Sequence, residues 1–250
     1  RLNSMALDRL TPLFLFLLLI GSSCREQSNE KQENTSPQEA TAADSLSAEA
    51  APGSPEQETP PEKVVDTFKL TEDNAIDFFF KYQKDLEADK VRLRTSKGDF
   101  TIELFDDVPY HKANFIYLAR KGYFDSTMFH RVVPDFIIQG GNADNRETAL
   151  KRSEIGRYLL PPDTRKGHRH HRGTVSMPSS EIDNPHMLAS PYEFFIVVTR
   201  PGSYHLDGDY TAFGRVVEGM DVVDAINQVE TDDGEWPMKN IYILEAEVLD

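Results

Sequence analysis

The feature that most constrains this chain is a repeated alternation of apolar and polar residues in short runs, from Val91 to the end. Val91-Arg92-Leu93-Arg94-Thr95 and Phe100-Thr101-Ile102-Glu103-Leu104-Phe105 flank a turn at Ser96-Lys97-Gly98-Asp99, the pattern of a half-buried hairpin. Further strands are expected from Phe129 to Gln139, Gly173 to Met177, Glu193 to Val198, Ala212 to Val217 and Ile241 to Val248. Leu206-Asp207-Gly208-Asp209-Tyr210 holds the Asp-Gly pair favoured in tight hairpins. Two helices are expected among the strands. One lies between Pro109 and Gly122 with Ala113, Phe115, Ile116, Leu118 and Ala119, and one spans Met220 to Asn227 with Val222, Val223 and Ile226 on its apolar side. Many short strands with so few helices imply a mainly β, closed or nearly closed antiparallel barrel.

The segments before this domain have a different character. Residues 1–23 read as a signal peptide, with Met5 as the start, Arg9 as the basic residue and an apolar run from Pro12 that ends in Gly21-Ser22-Ser23 before Cys24. That run is too short for a comfortable transmembrane helix. Small residues leading to a cysteine resemble a bacterial lipoprotein signal, which implies lipidation of Cys24 and a lipid anchor in the cell envelope, periplasmic or surface-facing. Residues 24–66 are rich in Glu, Gln, Ser, Thr, Ala and Pro. They bury too little apolar surface to offset ordering entropy, so a disordered acidic tether is expected. Within 67–90 an accessory helix is expected over Thr71 to about Ala88, with Thr71 as cap and Ile76, Phe79, Phe80 and Gln83 on one face. The main domain is 91–250.

Cys24 is the single cysteine, so no intramolecular disulfide can form. The net charge of −15 argues against a nucleic-acid backbone as partner. Much of the acid lies in the tether, so the globular part is closer to neutral. The run Lys166-Gly167-His168-Arg169-His170-His171-Arg172 offers three imidazoles. Its flanking cations repel a metal and no cysteine is near, so it reads as a solvated loop and no metal site is expected.

The stretch Phe129-His130-Arg131-Val132-Val133-Pro134-Asp135-Phe136-Ile137-Ile138-Gln139-Gly140-Gly141 combines an apolar run with a cation, an amide and a Gly pair. Plain core strands rarely carry that mixture, which points to a site. With Ala113-Asn114-Phe115, Ser176-Met177, Phe194-Phe195-Ile196, Leu206-Asp207-Gly208 and Phe213-Gly214-Arg215-Val216-Val217-Glu218-Gly219-Met220, in that order, it resembles the cyclophilin-type peptidyl-prolyl cis-trans isomerases from about Val91 onward.

The resemblance implies a closed eight-stranded antiparallel barrel capped by two helices, no cofactor, proline-containing polypeptides as partners, and a monomer. It implies catalytic roles for Arg131 and Gln139, and proline-pocket walls from Phe136, Ile137, Phe195 and Leu206. Some positions depart from the commonest family pattern. Ile137 stands for Met, Glu193 for Gln, His205 for Trp, Tyr210 for a rim His, and Pro178 for Ala. Glu193, His205 and Tyr210 are therefore expected at the pocket rim, where selectivity is set. Two functions compete: an isomerase assisting protein folding in the bacterial cell envelope, and a module or chaperone that binds proline segments with little turnover.

Overall fold

The computed structural model describes residues 68–179 and 185–249. The signal peptide, Cys24 and the tether to residue 66 lie outside the described residues. Among these described residues, ten strands and four α-helices follow in chain order. They are β1 (Leu70–Thr71), α1 (Ala75–Tyr82), β2 (Lys90–Thr95), β3 (Gly98–Leu104), α2 (Pro109–Arg120), β4 (Met128–Val133) and β5 (Ile137–Asn142). After these come α3 (Arg146–Ile155), β6 (Gly156–Arg157), β7 (Thr174–Ser176), β8 (Phe194–Val197), β9 (Ala212–Glu218), α4 (Met220–Asn227) and β10 (Ile243–Leu249).

Eight strands form one antiparallel sheet in the order β10-β2-β3-β9-β7-β8-β5-β4. Alternation sets its two faces, because successive side chains point to opposite sides. Val91, Leu93 and Thr95 of β2 turn inward, while Arg92 and Arg94 face outward to Glu247 and Glu245 on β10. Phe100, Ile102, Phe129, Ile138, Phe194, Ile196 and Phe213 fill the core with Phe115 of α2. The ring of Phe115 lies edge-on to Phe194 at 5.5 Å, a favoured aromatic geometry. Helix α2 packs on β9 and β10, and α4 on β3, β4 and β5.

The sheet curls into a half-barrel, and where a closed or nearly closed barrel is expected from the sequence its two edges come together along a seam. Its outer strands, β4 and β10, meet through one bridge, Met128 to Tyr242. Near it Phe129 N–H donates to Ile241 O at 2.9 Å and Ile243 N–H to Thr127 O at 2.8 Å. These bonds satisfy part of each edge without a continuous ladder.

Other expectations also change. The strand expected from Phe129 to Gln139 is a hairpin, β4 and β5. Phe136 N–H donates to Val133 O at 3.1 Å, with Pro134 at the first corner and Asp135 left-handed at φ +57°, a conformation Asp tolerates better than most residues. The Asp-Gly segment at 207–208 is not a β-hairpin: a 3-10 turn at Tyr204–Leu206 precedes it, and the Asp207 carboxylate turns inward to the backbone N–H of His170.

Three helices, not two, accompany the barrel. Helix α3 lies in the stretch read as loop, and its Asn145 cap accepts from Thr148 N–H. It closes at Gly156, whose φ is +131° and whose hydrogen faces Leu70 O so closely that a Cβ would sit 1.9 Å from it. That close approach lets β6 pair with β1.

Helix α1 is shorter than 71–88. Thr71 belongs to β1, and its N–H donates to the Asn74 side chain at 2.8 Å. The face that α1 buries differs from the one expected: Ala75 and Phe79 are buried, and Phe80 is 47% exposed. Phe79 packs against Tyr117 and Tyr158, a burial that contributes about 2–3 kcal/mol.

Candidate active site

The strand β8 is buried along its whole length, so both its faces are covered. Phe194 and Ile196 face the core. Phe195 and Val197 belong to a second, smaller cluster with Ile137, against which Val133, Phe136, Leu206 and Tyr210 pack half-buried. This cluster makes an apolar patch on the outer face of β5 and β8, with the half-buried Phe136, Leu206 and Tyr210 around it.

Cross-strand register aligns the polar residues with it. Arg131 of β4 pairs with Gln139 of β5, Gln139 with Phe195 of β8, and Phe195 with Ser176 of β7. Directly paired residues share a face, so Arg131, Gln139 and Phe195 form one row across β4, β5 and β8. Tyr210 meets that ring edge-on at 5.6 Å, and His205 stacks on Phe136 at 5.5 Å. Phe136, Ile137, Phe195, Leu206 and Tyr210 thus lie in one cluster, with His205 against Phe136 and Glu193 bonded to Gln139.

Arg131 is held by a residue the sequence did not suggest. Its Nε donates to Glu235 Oε2 at 2.6 Å. Glu235 sits in a turn at φ +65°, fixed by Val132 N–H donating to Glu235 O at 2.8 Å. Asp232 Oδ1 accepts from the N–H groups of Gly234 and Trp236 in the same turn. The Nη1 and Nη2 groups have no partner among the described residues and the side chain is 39% exposed. A guanidinium has five fixed donors, so anchoring Nε leaves an aimed, charged edge.

Glu193 is more than a rim acid. Its Oε2 accepts from Gln139 Nε2 at 2.9 Å and its Oε1 from Asn142 Nδ2 at 3.1 Å. His130 Nε2 lies 3.4 Å from Oε2 and Arg152 3.6 Å from Oε1. Burial pushes the Glu193 carboxyl up, but His130, Gln139 and Arg152 together hold it below the usual carboxylate value. The carboxylate therefore stays charged and orients Gln139.

The three histidines of the basic run do not converge. His168 bonds Asp107 at 2.8 Å, His171 bonds the Tyr204 hydroxyl at 2.9 Å, and His170 is 0% exposed. The solvated-loop expectation fails for His170, whose backbone N–H and Nδ1 both meet Asp207 Oδ1, at 2.8 and 2.9 Å. Its Nε2 meets Ser176 Oγ at 2.9 Å. Burial lowers the imidazole pKa more than Asp207 raises it, so the ring is neutral. Burial raises the Asp207 carboxyl, but hydrogen bonds from His170 and Arg169 outweigh it and leave the pKa low. Asp207 is thus an ionised acceptor, Nδ1 carries the hydrogen, and Ser176 donates to Nε2.

Comparison with known proteins agrees with this geometry. Residues 90–248 match the family model of the cyclophilin type peptidyl-prolyl cis-trans isomerases. A peptidyl-prolyl cis-trans isomerase of Arabidopsis thaliana is 36% identical over 163 residues, covering 64% of this chain and 94% of its own. The peptidyl-prolyl cis-trans isomerase-like 1 protein of Neurospora crassa is 37% identical over 164 residues, with 65% and 95% covered. A crystal structure of a cyclophilin type isomerase from Cryptosporidium parvum superposes with a TM-score of 0.55 at 26% identity, covering 65% of this chain and 98% of that one. With the curled eight-stranded sheet and an arginine in register with an apolar cluster on its outer face, the chain belongs to the cyclophilin-type peptidyl-prolyl cis-trans isomerases.

Proposed function

We propose that the outer face of β4, β5 and β8 rotates X-Pro bonds, with Arg131 as the electrostatic element. C–N resonance sets a barrier of about 18–20 kcal/mol, and no bond need be broken. An acceleration of about a millionfold requires roughly 8 kcal/mol of binding realised only in the twisted state. The apolar cluster of Ile137, Phe195, Leu206 and Phe136 takes the proline ring. Gln139, held by Glu193, bonds the substrate backbone. The Nη edge of Arg131 donates to the prolyl nitrogen, whose lone pair becomes an acceptor only when conjugation is lost. The observation that carries this reading is the cross-strand row of Arg131, Gln139 and Phe195, with Arg131 held through its Nε by Glu235. A relative's structure solved in the presence of the dipeptide Ala-Pro supports proline-containing peptides as substrates.

The test is exchange spectroscopy on a short Ala-Pro peptide with the purified chain. Accelerated cis-trans exchange is expected. Peptide binding without acceleration would instead identify a capture module.

We further propose that the enzyme works as a folding helper at a bacterial cell envelope, tethered through a lipid on Cys24. The support is the apolar run before Cys24 and the acidic stretch after it. Detergent-phase partitioning should depend on Cys24, and a Cys24→Ser protein that remained in the detergent phase would overturn the anchor.

A further inference from the structure

His170 and Ser176 are a fully buried base and hydroxyl to which the isomerase reading gives no task. Asp207, His170 and Ser176 have the bonding order of a nucleophilic triad, yet His170 and Ser176 are both 0% exposed. No carbonyl can reach the Ser176 oxygen, so attack on a substrate is excluded. The chain of bonds instead joins two separate parts of the proposed pocket. Asp207 directly follows His205 and Leu206, which lie against the apolar cluster and Phe136. Ser176 pairs in register with Phe195. The imidazole itself lies nearly parallel to the Phe195 ring, 13° between planes at 6.2 Å.

We propose that His170 is a positioning residue for the proline pocket: it ties the 204–210 segment to β7 and backs Phe195, setting the distance between opposite walls. The inference rests on the isomerase reading. Each bond has one direction, since Asp207 can only accept, Nδ1–H must donate and Nε2 must accept from Ser176. Rotating the ring would break both bonds, so the wall segment has a single stable seat. A pocket wall grips substrate and twisted state alike, so loosening it weakens binding more than turnover.

The experiment compares the full chain with His170→Phe, which keeps a flat ring of similar size against Phe195 and loses both hydrogen bonds, and with Ser176→Ala. For an Ala-Pro peptide, KM is expected to rise about five- to tenfold in His170→Phe with kcat changed less than about twofold. Ser176→Ala should rise less, and the double variant should not exceed His170→Phe, because both act through one chain. Imidazole 15N shifts of the unmodified protein should show the Nδ1–H tautomer. A folded His170→Phe with unchanged KM, a kcat loss at constant KM, or an Nε2–H tautomer would each overturn the proposal. Should His170→Phe not fold, Ser176→Ala and the tautomer decide it. Failure of the isomerase reading would show separately, as an unmodified chain that binds the peptide without accelerating exchange.

Discussion

His111 should make this domain sensitive to mild acid. It lies on α2, is 0% exposed and packs near Phe213 at 6.2 Å. Neither ring nitrogen has a hydrogen-bond partner among the described residues. Burial pushes its pKa from 6.5 down to about 3. The unfolded chain takes up a proton on this ring as pH falls through 6.5, while the folded chain refuses it until about 3. The stability present above pH 6.5 is therefore lost progressively between those values, at up to 1.36 kcal/mol per unit. The loss is about 2 kcal/mol at pH 5 and approaches about 5 kcal/mol below pH 3.

His111→Leu removes the titration at similar volume. It also removes two unpaired buried nitrogens, each of a kind that costs about 1–3 kcal/mol, so at pH 7 it should be at least as stable as the unmodified chain. Urea unfolding of both proteins at pH 7 and pH 5 measures the difference. The variant should gain about 2 kcal/mol on the unmodified chain across that interval, roughly 4–8 °C in Tm for a domain of this size. Parallel stability curves would instead mean that His111 is protonated in the fold or paired within it.

Three further substitutions probe the geometry. Gly156→Ala should destabilise by about 2–4 kcal/mol in chemical unfolding, since its Cβ would collide with Leu70 O at a positive φ; a change within about 0.5 kcal/mol would show that the β1–β6 contact is dispensable. Glu193→Ala removes the acceptor shared by Gln139 and Asn142, and kcat/KM should fall about tenfold. Because Glu193 is held below the usual carboxylate value, an acid limb in the activity of the unmodified chain should lie below that value as well. An acid limb above it that vanished in Glu193→Ala would contradict the assignment. Glu235→Ala frees Arg131 Nε and should cut kcat about tenfold with Tm changed by a few degrees at most, while Glu235→Gln, which keeps an acceptor, should recover most of the loss.

The parts of this structure that local chemistry dictates were legible in the sequence. Pro109 and Gly122 bracket α2, the alternation of Val91, Leu93, Phe100 and Ile102 specifies the β2–β3 hairpin, and Met220–Asn227 is helical over the expected span. What escaped depends on distant partners. Helix α3 is polar along most of its length, so it shows no apolar stripe, and its Asn145 cap was the one available signal. The Pro134-Asp135 pair marked a turn inside what read as one strand. The face that α1 buries is chosen by Tyr117 and Tyr158 rather than by its own periodicity.

In the site, family motifs drew attention to the residues around Phe195, and the paired registers explain why they share a face. Glu235 and Arg131 are 104 positions apart, and nothing local announces their contact. His170 lies in a run whose cations suggested solvent, yet Asp207 and Ser176 give it the partners a buried imidazole needs.

The proposed stabilisation of the twisted prolyl bond by the Arg131 guanidinium is probed by Arg131→Ala. Its catalysed cis-trans exchange rate on an Ala-Pro peptide should be compared with that of the unmodified chain, alongside peptide affinity and unfolding curves. A fall in kcat of about a hundredfold or more is expected, with affinity changed only a few-fold and stability within about 1 kcal/mol. A folded Arg131→Ala protein that still catalysed exchange within a few-fold of the unmodified rate would contradict it.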